Sequence, residues 1–153
     1  MTIRNLDRLL RPRSVALIGA TPKPGHVGNV VLRNLRQGGF GGRLMLVNPR
    51  HAEIDGLAVQ PDVASLPEAP DLAVIATPAA TVPGLIAALG ERGTKAALVI
   101  SAGFGSGAEG RRLTQAMLDA ARPHLLRIVG PNCVGLLLPH LFHALRSGRS
   151  VAW

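Results

Sequence analysis

Tyrosine is absent from this sequence, tryptophan occurs once, at the last position, and phenylalanine three times. So few rings cannot form a platform on which the bases of a single-stranded nucleic acid stack. One cysteine, Cys133, excludes an internal disulfide and fits a reducing, cytoplasmic environment. No apolar run reaches the roughly 20 residues that a bilayer crossing needs. The opening stretch MTIRNLDRLLRPRS scatters charges among its leucines, where a secretory signal requires an unbroken apolar segment. Acidic residues are scarce, nine against 17 Lys and Arg, for a formal net charge of +8. That balance attracts anions. The basic residues form no run of five or six, which favours a small phosphorylated ligand over nucleic acid.

What is abundant is aliphatic. Apolar residues make up 47% of 153 residues, enough for one domain with a core of Leu, Val, Ile and Ala. That bias suits a parallel sheet covered by helices on both faces. Short aliphatic runs alternate with longer amphipathic ones. Ser14 to Gly19 reads as a buried strand, followed by a Gly/Pro loop from Ala20 to Gly28. Val30, Val31, Leu32 and Leu35 share a helical face that closes at Gly38-Gly39. Arg43 to Asn48 is a second strand, stopped by Pro49, and residues 50–70 read as loop with a short edge strand at Leu57 to Gln60. Asp71 to Ala76 is a third strand, after which Thr81 caps a helix through Glu91, with Pro83 in its first turn. Ala96 to Ile100 and Leu126 to Val129 are strands on either side of a helix from Gly107 to Arg122. The pattern predicts an α/β fold: a Rossmann-like three-layer sandwich with a mostly parallel, doubly wound sheet. Ligands of such sheets sit at the carboxyl ends of the strands, where the unusual loops of this chain fall.

The first loop, Gly19-Ala20-Thr21-Pro22-Lys23-Pro24-Gly25-His26-Val27-Gly28, places backbone amides at a helix start, where phosphate is held well. Gly25 and Gly28 allow close approach of a diphosphate, and Lys23 and His26 add donors. The spacing is neither G-x-G-x-x-G nor a Walker loop. The second strand ends Val47-Asn48-Pro49-Arg50, without the carboxylate that NAD-binding folds place there. Arg50 suits a ribose phosphate, as in NADP or CoA. Thr77-Pro78 and Ser101-Ala102-Gly103 are small-residue loops over which a long ligand can run. Gly130-Pro131-Asn132-Cys133 presents an amide and a thiol at the same edge. A lone cysteine is more often a small buried hydrophobe than a nucleophile, so no catalytic residue is assigned. No metal site is assigned either.

In order, these segments resemble the CoA-binding domain shared by succinyl-CoA synthetase α subunits, ADP-forming acetyl-CoA synthetases and the related protein acetyltransferases. The resemblance rests on the stretch from Leu10 to Ala20 (LRPRSVALIGA), Gly25-x-x-Gly28, Val47-Asn48-Pro49, Ala76-Thr77-Pro78-Ala79, Ser101-Ala102-Gly103-Phe104 and Gly130-Pro131-Asn132-Cys133-x-Gly135. It implies a cofactor, coenzyme A or acyl-CoA. Gly19, Thr21, Lys23, Gly25 and Gly28 would lie at its diphosphate, and Asn48, Pro49 and Arg50 at its adenosine. Thr77, Pro78, Ser101, Ala102 and Gly103 would line the pantetheine, with Asn132 and Cys133 near the thiol.

In the family, an acyl phosphate made through a phosphohistidine is attacked by CoA to give the thioester. That histidine belongs to a second, flavodoxin-like domain, and His140 and His143 do not correspond to it. Many phosphohistidine-using members also carry a glutamate soon after the Gly-Phe pair, where this chain has Gly105-Ser106-Gly107. The expected division is a CoA-binding domain over residues 1–135 and a tail over 136–153, either a helix covering the sheet or the remnant of a truncated or frameshifted gene. The expected role is a CoA-capturing module of a synthetase-like system, without the phosphohistidine and ATP-grasp domains and inactive alone, with a separate synthetase subunit as one candidate partner. Homo-oligomers are equally compatible with the sequence. The alternative is an NAD(P)-binding domain with a redox-sensing or dehydrogenase-like role.

Overall fold

A computed structural model of the protein describes residues 5–133. The elements run α1 (Leu6–Leu10), β1 (Ser14–Ile18), α2 (Val27–Gln37), β2 (Arg43–Val47), β3 (Glu53–Ile54), β4 (Leu57–Gln60), β5 (Leu72–Ile75), α3 (Val82–Glu91), β6 (Ala96–Val99), α4 (Ala108–Ala121) and β7 (Arg127–Val129). They form one sheet in the order β3-β4-β2-β1-β5-β6-β7. All pairings are parallel except β3 with β4.

The period-2 geometry of the strands sorts their side chains onto two faces. Val15, Leu17, Leu46, Leu72, Val74 and Leu98 point to one face, where Leu9 of α1 and Val31, Leu32 and Leu35 of α2 cover them. Ala16, Ile18, Met45, Val47, Ala73, Ile75, Ala97 and Val99 point to the other, beneath Val82, Ile86 and Leu89 of α3 and Met117 and Ala121 of α4. This is the three-layer, doubly wound sandwich. Ala16, Ala73 and Ala97 stand in register across β1, β5 and β6. Their small size leaves room for Ile86, Leu89 and Met117, each of which contributes about 1.5–3 kcal/mol on burial.

Several local features differ from the sequence reading. Leu6–Leu10 is helical, and Leu9 is its buried residue. Residues 50–70 hold a β3–β4 hairpin whose tight turn carries Asp55 and Gly56 at positive φ, so β4 is covered on its outer side by β3. No helix connects β4 to β5. The strand–helix alternation is therefore absent from β2 to β5, where neither the β2–β4 nor the β4–β5 connection is helical. Thr81 stands at the start of α3 but makes no side-chain cap bond; its hydroxyl donates to the Pro78 carbonyl instead, closing a short 3₁₀ turn over Ala79–Thr81. The expected tail over 136–153 lies outside the described residues.

The amino-terminal edge of the sheet is tied by Asp71. Its carboxylate accepts from the Arg8 guanidinium and, at 2.9 Å, from the Arg13 amide, while its own amide donates to the Ser14 hydroxyl at 3.0 Å. Burial alone pushes this carboxyl up, but the Arg13 amide and the Arg8 and Arg13 guanidiniums outweigh it and hold it below its ordinary value. A carboxylate whose pKa is depressed on folding stabilises the fold above its unfolded value of about 3.9, and that stabilisation is lost as pH falls through the folded value. Asp71→Ala is expected to cost about 2 kcal/mol at pH 7, the range for hydrogen bonds to a charged group. Urea titrations of both proteins across pH 7 to 2 should show the gap narrowing below about pH 4.

Candidate functional site

The strand order reverses between β1 and β5. From β1 the chain steps outward to β2 and then β4, and it returns to place β5 on the other side of β1. The loops leaving β1 and β5 therefore turn toward opposite faces, and a crevice opens between them at the carboxyl edge. A cleft of about 910 Å³ lies there, lined among others by Gly19, Thr21, Lys23, Asn48, Pro49, Arg50, Thr77 and Pro78.

The first loop is shaped from within. Gly19 has φ +93°, a left-handed conformation that lets the chain leave β1 sharply, and its amide donates to the Val47 carbonyl at 2.9 Å. The Lys23 amide donates to Thr21 Oγ1 at 3.3 Å, and the Asn29 side-chain amide reaches back from α2 to the carbonyls of Thr21 and Pro22. Asn48 ties the second strand to this loop. Its Nδ2 donates to the Ala20 carbonyl at 2.7 Å, and its Oδ1 accepts from the Arg50 amide at 2.8 Å. Asn48 thus fixes the backbone at Arg50. At the start of α2, His26 makes no side-chain cap bond, and the first turn carries no acid. The positive end of an 11-residue helix faces the loop unneutralised.

Gly25 and Gly28 play different structural parts. Gly25 is at φ +82° in open space, whereas Gly28 is buried where an added Cβ would overlap the Gly19 carbonyl. The latter contact brings α2 tightly onto the end of β1.

Across the crevice, the Thr77 amide donates to Ser101 Oγ at 3.2 Å. Because Thr81 Oγ1 gives its proton to Pro78, the 2.8 Å contact between the two threonine hydroxyls has Thr77 as donor. Ser101, Ala102, Gly103, Asn132 and Cys133 are not among the cleft-lining residues. They continue the same edge past β6 and β7, joined to Thr77 through Ser101, whose carbonyl also accepts from the Asn132 amide at 3.1 Å. Cys133 packs against the core and donates its thiol to the Val99 carbonyl at 3.3 Å.

The cleft lining combines two chemistries. Lys23 and Arg50 contribute cationic side chains and His26 and His51 imidazoles, while Pro61, Val63, Ala64, Leu85 and Ala88 contribute an apolar surface. Asp62 is the one carboxylate on the lining; the Ser65 hydroxyl and amide bind it and hold its carboxyl below the ordinary value. Sequence reasoning missed His51, residues 61–64, Thr81, Leu85 and Ala88. The i, i+3 spacing of Leu85 and Ala88 on one helix was the available signal; residues 61–64 had no periodicity to read. Among the described residues, no group of three or more His, Cys, Asp or Glu can hold a metal ion, and no helix is long and apolar enough to cross a membrane.

Comparison with known proteins agrees with this geometry. The CoA binding domain family matches residues 13–139. The chain is 41% identical over 133 residues to acetate–CoA ligase (ADP-forming) I of Archaeoglobus fulgidus, covering 86% of this chain and 19% of that protein. It is 38% identical to acetate–CoA ligase (ADP-forming) I subunit alpha of Pyrococcus furiosus, covering 87% of this chain and 30% of the subunit. Among solved structures, dinucleotide-forming acetyl-coenzyme A synthetase 1 of Ca. Korarchaeum cryptofilum, in complex with phosphate and ADP, superposes with a TM-score of 0.83 at 35% identity, covering 92% of this chain and 30% of the synthetase. The chain thus spans less than a third of the length of these relatives. Fold, ordered loops and family match converge, and the chain belongs to the CoA-binding domain family.

Proposed function

We propose that this chain binds coenzyme A or an acyl-CoA in the switch-point cleft, as the CoA-capturing module of an ADP-forming acyl-CoA synthetase-like system. The observation that carries the reading is a cleft at the strand-order reversal whose lining joins Lys23 and Arg50 to an apolar surface. A nucleotide with a flat apolar base and several phosphates matches both. The loop from Gly19 to Gly28 and the start of α2 hold the diphosphate, with Lys23 and His26 as added donors. Arg50, its backbone fixed by Asn48, faces the ribose phosphate. Thr77 and Pro78, then Ser101, Ala102 and Gly103, lead the pantetheine arm toward Asn132 and Cys133.

A nicotinamide dinucleotide is disfavoured. The tip of β2 carries no carboxylate, and Asp62 is engaged by Ser65. One relative is named as an alpha subunit, which supports a separate chain or a further domain as the source of acid activation. Alone, this chain is expected to bind without ligase turnover.

Calorimetric titration with CoA, acetyl-CoA, NAD(H) and NADP(H) tests the proposal. Saturable binding is expected for the first two and weaker or no binding for the others. Arg50→Ala should weaken CoA about tenfold, a charge-assisted contact of about 1.4 kcal/mol, and should flatten the dependence of affinity on salt. A preference for a nicotinamide cofactor would overturn the ligand. Unchanged affinity in Arg50→Ala would remove Arg50 from the site.

A further inference from the structure

The apolar lining of the cleft comes from two different parts of the chain. One is α3, through Leu85 and Ala88; the other is the segment after β4, through Pro61, Asp62, Val63 and Ala64. That segment has no sheet or helix to hold it. Val63 and Leu66 are buried, the Leu66 amide donates to the Val63 carbonyl at 3.2 Å, and Asp62 Oδ1 closes a turn by accepting from Ser65.

One side chain joins the two walls. Arg92, directly after α3, donates from Nη1 to the Ala64 carbonyl at 2.8 Å and from Nη2 to the Leu66 carbonyl at 2.6 Å. Residues 85, 88 and 92 follow one helical stripe, at i, i+3 and i+7, so the guanidinium lies one turn beyond Ala88 on the cleft side of α3. Its Nε is buried with no hydrogen-bond partner, and Nη1 and Nη2 each donate to one of these two carbonyls. A lysine has no such fork and cannot hold two carbonyls in fixed geometry.

We infer that Arg92 is a positioning residue that latches the 61–66 wall to α3 and so sets the width of the slot receiving the purine of the ligand. It touches no ligand. The inference rests on the CoA reading for its ligand but not for its mechanical part. A preset slot avoids the cost of ordering a loop on binding. The end of the ligand that depends on Arg92 is therefore the base, not the pantetheine arm.

The test compares wild type, Arg92→Ala and Arg92→Lys with CoA, adenosine 3′,5′-bisphosphate and 4′-phosphopantetheine. It also follows hydrogen exchange of the Ser65 and Leu66 amides in the free proteins. Arg92→Ala is expected to weaken CoA and the bisphosphate about tenfold, to leave phosphopantetheine unchanged, and to speed exchange locally at residues 62–66. Arg92→Lys should fall between. Equal affinity in wild type and Arg92→Ala would overturn the latch. So would a loss shared by both fragments, or exchange that accelerates throughout the domain, because either outcome means a general loss of stability. If wild type binds no CoA, the functional reading fails, and the exchange measurement still decides the latch: acceleration confined to 62–66 supports it, and no acceleration rejects it.

Discussion

Gly28→Ala is expected to destabilise the domain by about 1–3 kcal/mol, as overpacked core sites do, and to lower CoA affinity about tenfold, the equivalent of about 1.4 kcal/mol. Gly28 is the second residue of α2, buried where a methyl group would overlap the Gly19 carbonyl and touch the Ala20 Cα. Gly19 cannot yield. It is held at φ +93° by the exit from β1, and the Ala76 carbonyl lies against its other side. The helix must therefore move away from the strand, and its first amides move with it, away from the proposed diphosphate position. Helix propensity alone predicts the reverse, since Gly to Ala inside a helix gains about 1 kcal/mol. The sign of the stability change, read by urea unfolding, separates the two. Calorimetry on the same variant then reports the ligand. A variant as stable as wild type and with unchanged affinity would show that α2 has room to spare and that the phosphates are held elsewhere.

The second large effect sets two chemically identical changes against each other. Gly110→Ala and Gly84→Ala each add one methyl group at the third residue of a helix, α4 and α3 respectively. At Gly110 the new Cβ would lie on the carbonyl oxygens of Phe104 and Gly105; at Gly84 nothing stands within 4 Å. Gly110→Ala is expected to cost about 3 kcal/mol, at the upper end for overpacking against backbone. Gly84→Ala should gain about 0.5–1 kcal/mol through helix propensity and a less free unfolded chain. Thermal or urea unfolding of the pair gives the answer directly. Equal shifts of the same sign would mean that the tight approach of α4 to the Phe104 loop does not exist in solution. The change also bears on the proposed site. Phe104 is buried and immediately follows the Ser101-Ala102-Gly103 loop, so displacing it moves the surface proposed to carry the pantetheine arm.

Much of this was readable before any coordinates. The aliphatic runs from Ser14, Arg43, Asp71 and Ala96 became inner strands because continuous Val, Leu, Ile and Ala cannot be solvated on either face and must be covered by helices, and the shorter run from Leu126 became the half-buried edge strand β7. The glycines and prolines at their ends marked the loops. Eight of the fifteen nominated residues, Gly19, Thr21, Lys23, Asn48, Pro49, Arg50, Thr77 and Pro78, line one cleft because parallel strands deliver all their exits to the same edge.

Other features needed the third dimension. The break in alternation between β2 and β5 has no local signature, since the β3–β4 hairpin is short and residues 61–70 lack periodicity. The apolar lining of the cleft joins Val63 and Ala64 to Leu85 and Ala88 across more than twenty residues of chain, and the two carbonyl partners of Arg92 lie at a similar distance along the sequence. Gly28 reads in sequence as a place for phosphate to approach, yet its contact is with the Gly19 carbonyl. The sequence by itself determined the six parallel strands, which edge carries the loops and what chemistry those loops offer, because periodicity and turn residues act over a few neighbours. Only the tertiary structure decided which side chains meet across the cleft, because those meetings depend on strand order and helix docking, which are settled by packing between distant parts of the chain.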